Sequence, residues 1–487
     1  MTNLNRRGFL NVTAGGAFAA IGVPLAGAAD DRQLPRRAGA TEEVTRKLAD
    51  YLVTARPEAI PAAVRKEATR TLLNWIGVAV GGARHESVDL ALAAIAPFAG
   101  SAQAQVLGRR ERMDIMSTTL INGISSHVLN FDDTHLATII HASSAIIPPA
   151  LALAEHRPDV TGAALLHAIV LGMETAFRVG GAVYPNHFDA GWHITGTAGA
   201  IGAAAAAGRL LGLTGPQMVW ALGLAASQPV GFRESFGSMN KSFNPGRAAQ
   251  NGLLSALLAA RGFTSSNRML EAPAGWAHTL STKQDFAAIT DGLGVRFETA
   301  RNTYLPFACG IVIHPAIDGC IRLRKEHGLK SGDIAKVELR VHPRVLQLSG
   351  RKDPRLGLEG KFSVYHAAAI ALLAGRAGPR EFSDAAVGDA ATVELRARVS
   401  AIVDPQVKET QAAVAVWLKD GRELRTFVEH VVGSVENPMS DAALAEKAAN
   451  LMEGLLPDKR IRELIDACWA VEQLGLASKL ATLAAAE

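Results

Sequence analysis

The stretch WHITGTAGAIGAAAAAGRLL, residues 192–211, decides the fold of this chain. Alanine and glycine fill most of it, and a run of this composition favours a helix whose neighbours pack closely against it. The three glycines at 196, 199 and 202 have G-x-x-G-x-x-G spacing, which is not the dinucleotide fingerprint, and no Lys-Ser or Lys-Thr follows to form a phosphate loop. The sequence therefore predicts a helix packed through small residues.

Helical patterns extend to both sides of this stretch. From Thr41 to about residue 300, apolar residues recur at the spacing of one helix face, and no alternating strand pattern of useful length interrupts them. We expect residues 41–301 to form an all-helical domain. Residues 194–224, the most apolar segment, are interrupted by Arg209 and by Gly215-Pro216, so we expect no membrane span after the N-terminus.

The pattern changes after residue 300. Residues 335–342 alternate apolar and polar side chains, and two further predicted strands flank Asp420-Gly421, which is a strong hairpin signal. We expect residues 302–434 to form a smaller α+β lid domain. Residues 435–487 are helical again and should return to the first domain. The predicted fold class is mainly α, with the α+β lid inserted before the C-terminal helices.

Composition and the N-terminus limit the choice of partners and compartment. The chain has 487 residues and a formal net charge of +4, without a basic run that interleaves aromatics, so we expect no nucleic-acid partner. Residues 1–29 contain Arg6-Arg7, an apolar run and then Ala26-Gly27-Ala28, the order found in a twin-arginine signal peptide. We expect a periplasmic or secreted protein that meets the membrane only during export.

The densest polar cluster is HVLNFDDTHLATIIH, residues 127–141. If it stayed helical, His127, Asn130, Thr134 and His141 would share a face. The prolines and short polar residues that follow favour a loop after Asp133 instead. A zinc site is an alternative, but HExxH and a cysteine partner are missing and the spacing is irregular, so we expect no metal.

Three other places carry candidate side chains. His193 lies just before the small-residue helix, whose free N–H groups favour a substrate carboxylate. Lys241 and Arg247 precede another helix rich in alanine and leucine, and each is either an anion anchor or a solvated charge. His314 lies at the expected junction between domains, where clefts form.

Together these residues resemble the MmgE/PrpD family. The motifs that carry the resemblance run in order along residues 41–470: Asn122-Gly123 with His127, Phe131-Asp132-Asp133-Thr134, His141 with the following Ala-Ser-Ser-Ala, Gly231-Phe232 with Lys241, Gly246 with the following Arg-Ala-Ala, Leu270-Glu271, His314-Pro315 with Asp318, Phe362-Ser363 and Asn437-Pro438. Each motif is weak by itself, whereas the ordered set is specific.

The resemblance implies a helical domain, a lid domain, a homodimer and an active site between the domains with no metal or organic cofactor. Members of the family dehydrate 2-methylcitrate, decarboxylate cis-aconitate or epimerise iminodisuccinate. By position, five residues of this chain match the family's active-site residues: Thr134, His141, His193, Lys241 and His314.

Three positions depart from the family pattern. Asn130 stands where many relatives have Asp, Leu305 where many have Lys, and His366 where the decarboxylases carry Tyr. The departures weaken a decarboxylase assignment, and the loss of a lysine suggests a substrate with fewer negative charges than citrate-like acids.

These observations predict a cofactor-independent lyase or isomerase, similar to 2-methylcitrate dehydratase, that removes a proton next to a carboxylate of a small di- or tricarboxylate. His141 or His193 would be the base and proton donor, Lys241 the carboxylate anchor, Thr134 would orient the substrate, and His314 would reach in from the lid. Further substrate contacts are expected from Asn130, Asp133, His135, Arg247 and His366. An epimerase, a non-catalytic carboxylate-binding protein and a metal-dependent hydrolase remain alternatives.

Overall fold

The computed structural model describes residues 43–487, so the predicted signal peptide, residues 1–29, lies outside the described part and remains a prediction. The chain is mainly helical, with small sheets. The helices of its N-terminal part are α1 (Val44–Thr54), α2 (Ala62–Gly82), α3 (Glu86–Ile95), α4 (Ile115–Val128), α5 (Ser143–His156), α6 (Gly162–Gly181), α7 (Asn186–Asp189), α8 (Ile194–Leu211), α9 (Gly215–Ala226), α10 (Asn240–Ala260), α11 (Trp276–Leu280) and α12 (Ala287–Thr290).

The second part of the described chain contains further helices and the longer strands. The helices that follow are α13 (His314–His327), α14 (Pro343–Ser349), α15 (Gly357–Gly360), α16 (Val364–Ala374), α17 (Asp384–Gly388), α18 (Ala390–Arg396), α19 (Asp441–Met452), α20 (Asp458–Trp469) and α21 (Lys479–Leu483). The strands are β1 (Ala104–Gln105), β2 (Arg112–Met113), β3 (Asp133–His135), β4 (Asn302–Tyr304), β5 (Ile334–Val341), β6 (Val399–Val403), β7 (Ala412–Leu418) and β8 (Glu423–Val428).

The first hydrophobic core lies among the N-terminal helices, with α8 inside it. An added Cβ on Gly199 would come within 2.8 Å of the Ala145 Cβ, and one on Gly202 within 2.6 Å of the Gly172 carbonyl oxygen. Distances this short leave no room for a side chain at either glycine position. The predicted packing of this helix through small residues is therefore confirmed.

Helices α6 and α8 are both long and apolar enough to cross a membrane. Length and hydropathy therefore do not exclude a span here, and the expectation of none after the N-terminus stays a prediction. Both helices are mostly buried inside the first core, and burial on all sides accounts for their apolar composition. A core helix passes the same test as a membrane span, so the result is weak evidence for a membrane.

The C-terminal helices share the first core. Ala448 and Met452 of α19 and Leu464 of α20 belong to it, and Ala448 packs against Gly77 of α2. Ser440 caps α19 by accepting a hydrogen bond from the backbone N–H of Ala443. The domain boundaries themselves remain a prediction.

The second hydrophobic core lies between α13, α16 and a four-stranded sheet with strand order β6-β5-β7-β8. Strands β5 and β6 are parallel, and the other neighbours are antiparallel. The predicted strands appear as β5, β7 and β8, with Gly421 at φ 89° in the hairpin turn. Strand β6 was not predicted, because its short sequence VSAIV carries no clear alternation.

A loop after α4 positions the candidate site. Helix α4 ends at Val128, so the continuous-helix alternative is wrong and the loop begins before Asp133. Strand β3 pairs with β4, with Thr134 opposite Thr303. Such short strands carry too little pattern to be predicted. The all-helical description of residues 41–301 missed β1, β2 and β3, while β4 begins just after that range. Pro148 and Pro149, which suggested a loop, lie inside α5.

The same loop contains a strained residue. Ile139 has φ 57°, a left-handed conformation that costs a β-branched residue about 1–3 kcal/mol. A turn closed by two backbone hydrogen bonds holds it there, from Ile139 N to the His135 carbonyl at 2.7 Å and from His135 N to the Ile140 carbonyl at 2.9 Å.

Candidate active site

A cavity of about 480 Å³, called here the central cavity, lies where the loop after α4 meets the starts of α8 and α10. Its polar lining residues are Asn130, His141, His193, Lys241 and Ser349. Apolar side chains form most of the remaining wall: Ile139, Phe188, Phe236, Ile311, Val312, Leu348 and Phe362. The structure thus brings together four residues that the sequence had singled out from separate segments.

Lys241 lies in the first turn of α10, and its ammonium group is almost fully buried. It donates hydrogen bonds to His127 Nε2 at 2.8 Å and to the Asn130 side-chain carbonyl, and Asn130 in turn donates to the backbone carbonyl of Cys309. Burial lowers the pKa of Lys241 to about 8, and the negative charge of Asp132 opposes that shift. Because an ammonium has three hydrogens, one remains for a ligand in the cavity.

Asp132 and His127 form a buried pair behind Lys241. A lysine only donates, so His127 Nε2 is an acceptor and its Nδ1 carries the hydrogen that Asp132 accepts at 2.7 Å. Burial and the neighbouring Lys241 charge lower the pKa of His127 to about 3. Burial raises the pKa of Asp132, but His127 and His141 outweigh it and hold that pKa well below its usual range. The pair is therefore a neutral imidazole beside a carboxylate.

His141 has one ring nitrogen engaged and one facing the cavity. Its Nδ1 lies 2.8 Å from the backbone carbonyl oxygen of Asp133, which can only accept, so Nδ1 carries the hydrogen. Nε2 then has a free lone pair, since the hydrogen bonds of the His141 ring within residues 43–487 use Nδ1. The Asp132 carboxylate, 3.2 Å from Nδ1, can stabilise the positive charge that His141 gains on taking up a proton.

His193 has the opposite arrangement. The Asn244 amide nitrogen donates to His193 Nδ1 at 3.0 Å, so Nδ1 is the acceptor and Nε2 carries the hydrogen. Burial, followed by the charge of Lys241, lowers the pKa of His193 well below its usual value and keeps the ring neutral. The cavity is thus lined by one histidine with a free lone pair and another with a free N–H.

Ser349, the last residue of α14, was not anticipated from the sequence. Its hydroxyl group is buried against the central cavity and has no hydrogen-bond partner among the described residues. A buried hydroxyl without a partner costs free energy, so this one is suited to bind a ligand oxygen. No sequence signal pointed to it, since a lone serine at the end of a short helix is common.

Three predicted site residues lie near the central cavity without lining it: Thr134, Asp133 and His314. The Thr134 hydroxyl lies 3.1 Å from His141 Nδ1, so it contacts the histidine rather than the cavity. Asp133 accepts from Asn302 at 2.9 Å. His314, at the start of α13, faces the Cys309 carbonyl at 3.4 Å, and burial lowers its pKa to about 3. The structure does not place these three residues among those that line the central cavity.

His135, Arg247 and His366 lie elsewhere. His135 stacks on Phe177 at 4.3 Å and lies 3.5 Å from a carboxylate oxygen of Glu298. Arg247 is exposed on α10 and donates a hydrogen bond to the side chain of Gln250. His366 belongs to α16, where its Nε2 faces the Glu381 carbonyl at 3.0 Å. Their predicted contact with substrate has no support in this geometry.

Two buried lysines hold the loop in place, and sequence reasoning missed both. Lys361 donates to the backbone carbonyls of Leu129 at 2.6 Å and Ala308 at 2.8 Å. Lys447 of α19 donates to the carbonyls of Phe131 and Leu305 at 2.6 and 2.9 Å. Burial lowers the pKa of each lysine to about 7. Four of their partners are backbone oxygens, which leave no trace in a side-chain pattern, and Lys447 also donates to the Asn74 side-chain carbonyl at 2.8 Å.

A metal ion is the alternative occupant of the histidine cluster. One ligand atom each of His127, Asp132 and His141 lies within 4.8 Å of the others. However, Lys241 donates to His127 at 2.8 Å and would hold a positive charge beside the metal. The direct His127–Asp132 hydrogen bond and the neighbouring ammonium suit a network of proton carriers better than a cation site.

Comparison with known proteins identifies the family. The MmgE/PrpD N-terminal domain matches residues 46–289, and the MmgE/PrpD C-terminal domain matches residues 307–471. The chain belongs to the MmgE/PrpD family. This membership supports a lyase that acts on a carboxylate, without specifying the substrate.

Several curated relatives of this MmgE/PrpD protein are cis-aconitate decarboxylases. The cis-aconitate decarboxylase-like protein oryM of Aspergillus oryzae is 25% identical over 471 residues, 91% of this chain and 98% of that protein. The cis-aconitate decarboxylase of Aspergillus terreus is 24% identical, covering 90% of this chain and 95% of its own. The human cis-aconitate decarboxylase is 26% identical, covering 86% and 90%.

Proposed function

We propose that this protein is a cofactor-independent lyase of the dehydratase type, which removes a proton next to a carboxylate of a small di- or tricarboxylate. The observation that carries the proposal is the pair of complementary histidines, His141 and His193, facing one cavity beside the buried ammonium of Lys241. Family membership supports the same class of reaction.

His141 is the base in this proposal. Its Nε2 lone pair faces the cavity, and the contacts of Nδ1 with Asp133 and Asp132 hold the ring in the right tautomer. A positioned general base of this kind accelerates proton transfer by about 10²–10⁴-fold.

His193 donates a hydrogen bond to the leaving group. Its Nε2–H is available because Nδ1 accepts from Asn244. In a dehydration the proton of the breaking carbon–hydrogen bond goes to His141, its electron pair forms the carbon–carbon double bond, and the carbon–oxygen bond breaks toward the oxygen that His193 stabilises. That oxygen takes the proton from His141 and leaves as water, so both histidines return to their starting states.

Lys241 binds the carboxylate that gathers negative charge when the proton leaves. Its third hydrogen and the unpaired hydroxyl group of Ser349 are the donors available to substrate oxygens. Donors that stabilise a developing oxyanion in a buried site each contribute about 10²–10³-fold to kcat.

The proposal is tested by incubating the protein with a panel of di- and tricarboxylates in deuterium oxide and recording proton NMR spectra. The panel includes cis-aconitate, the compound for which the relatives are named, and 2-methylcitrate. We expect elimination in at least one acid, with deuterium entering the carbon next to a carboxylate.

The same spectra separate the alternatives. Deuterium exchange with inversion but without elimination indicates an epimerase, and tight binding without exchange indicates a binding protein. A metal-dependent hydrolase predicts stoichiometric zinc and loss of activity with a chelator. Any of these three results would contradict the dehydratase proposal.

A further inference from the structure

The charges around the central cavity limit the number of carboxylates a substrate can carry. Among residues 43–487, Lys241 is the one lysine or arginine that lines this cavity. A smaller side cavity of about 260 Å³ shares Asn130, Lys241 and Phe362 with it and adds Lys361. Two contacts of Lys361 are already with backbone carbonyls, so these two lysines can match two carboxylates at most.

Leu305 supplies no charge to the central cavity. Its side chain is apolar and buried in the second core. Its backbone is also engaged, because Leu305 N donates to the Asp132 carbonyl and its own carbonyl accepts from Lys447. No cation can therefore reach the cavity from this position.

Part of the apolar wall of the central cavity also borders a second space. Ile139, Ile311 and Val312 line the central cavity and also line a pocket of about 520 Å³, called here the outer apolar pocket. Glu409 is the one charged residue that lines this pocket in the described part of the chain, and it pairs with Arg344 at 3.1 Å. Because Arg344 already pairs with Glu409, the lining offers no free charge to a carboxylate, and an apolar group is the suitable occupant.

We propose that the substrate is an acid with one or two carboxylates at the Lys241 end and an alkyl substituent at the other. The alkyl group lies against Ile139, Ile311 and Val312 and extends into the outer apolar pocket. This inference deepens the proposed function and rests on it for the reaction, but the binding preference that it states can be measured separately.

The test is calorimetric titration of the full chain with succinate, methylsuccinate, butylsuccinate and hexylsuccinate, and with tricarballylate as a tricarboxylate of similar size. Each buried methylene should lower Kd by about fourfold, the factor that corresponds to about 0.8 kcal/mol. We expect butylsuccinate to bind more tightly than tricarballylate. A Kd that is independent of chain length, or tighter binding of tricarballylate, would overturn the inference.

Matched variants locate the alkyl group. Val312→Thr keeps the shape of the side chain and adds a hydroxyl group, so it should weaken butylsuccinate about fivefold while succinate changes less than twofold. Ile311→Thr should act in the same way if Val312→Thr folds poorly. Val403→Thr, at an exposed position of β6, is the control and should leave the chain-length dependence unchanged. An equal loss for succinate and butylsuccinate in both cavity variants would contradict the assignment.

Deuterium exchange on the same acids separates the two proposals. Chain-length-dependent binding without exchange in any acid would remove the proposed reaction and leave the binding preference standing. Exchange in tricarballylate but not in the alkylsuccinates would remove the proposed binding preference and leave the proposed reaction standing.

Discussion

Asn130 gives Lys241 a neutral partner where an aspartate would give it an anionic one. The ammonium is surrounded by one carboxylate, Asp132, two neutral histidines, His127 and His193, and the second cation Lys361. Lys241 therefore loses its charge as the pH rises through about 8, and carboxylate binding should weaken above that pH.

Asn130→Asp should move this alkaline limb to higher pH. An added negative charge beside the ammonium favours its protonated form and raises its pKa. The aspartate also tolerates the φ of 50° at this position. The measurement is kcat/KM against pH, with Asn437→Asp as the control that adds the same charge at an exposed site. An alkaline limb that stays in place would exclude Lys241 as the titrating group.

Asp132→Asn should move the same limb in the opposite direction. Asp132 is the carboxylate that raises the pKa of Lys241, so its removal lets burial dominate and the ammonium deprotonates at lower pH. The pH profile of kcat/KM reports the shift, and circular dichroism verifies the fold. If Asn130→Asp and Asp132→Asn shifted the limb in the same direction, the assigned electrostatics would be wrong.

The sequence predicted those site residues whose side-chain chemistry alone suggests a role. Residue type singled out His141 in the polar cluster, and His193 and Lys241 just ahead of predicted helices, and the three line one cavity. Ser349 and Lys361 were missed, because their significance comes from an unpaired hydroxyl and from backbone carbonyls. Neither kind of partner is encoded in a local pattern.

At the scale of elements, the contact between α8 and α10 depends on a glycine. A Cβ on Gly252 would lie within 2.6 Å of the Ala200 carbonyl oxygen and 2.7 Å of the Ala204 backbone nitrogen. Gly252→Ala should therefore lower the free energy of unfolding by about 1–3 kcal/mol, measured by chemical denaturation. Gly332→Ala, with open space around the new methyl group, is the control and should change it by less than about 0.5 kcal/mol. Equal stability of the two variants would refute close packing at α10.

Lys447 connects α19 to two loop segments, one at Phe131 and one at Leu305. Lys447→Met should leave the Phe131 and Leu305 carbonyls without a donor, at a cost of about 1–3 kcal/mol for each unsatisfied group. Denaturation should show the loss of stability, and activity should fall with it because Asp132 adjoins the released loop. Lys459→Met, at an exposed position of α20, is the control and should alter neither the stability nor the activity. Full stability in Lys447→Met would mean that water replaces the ammonium.

The elements that sequence patterns predicted are those with repeated spacing. The helices, the strands β5, β7 and β8, and the Asp420-Gly421 turn follow from periodicity and turn chemistry. The pairing of β3 with β4 joins segments far apart in sequence through three residues each, and only the tertiary structure determines it. That pairing sets the position of Thr134 and the loop around it.

At the scale of the whole molecule, export and assembly remain predictions. A twin-arginine signal predicts that the mature protein from the periplasmic fraction begins near residue 30, which mass spectrometry would report. The predicted homodimer would give twice the chain mass in analytical ultracentrifugation. A full-length chain in the cytoplasm would contradict the first prediction, and a single-chain mass would contradict the second.

The account as a whole depends on different roles for the two histidines of one cavity. The direct measurement is solvent deuterium incorporation and elimination by His141→Gln and His193→Gln, using the acid that wild type consumes fastest. We predict that His141→Gln loses both reactions by about 10²–10⁴-fold, since no base remains, whereas His193→Gln loses elimination but still exchanges the proton. Wild-type exchange in His141→Gln, or loss of exchange confined to His193→Gln, would contradict it.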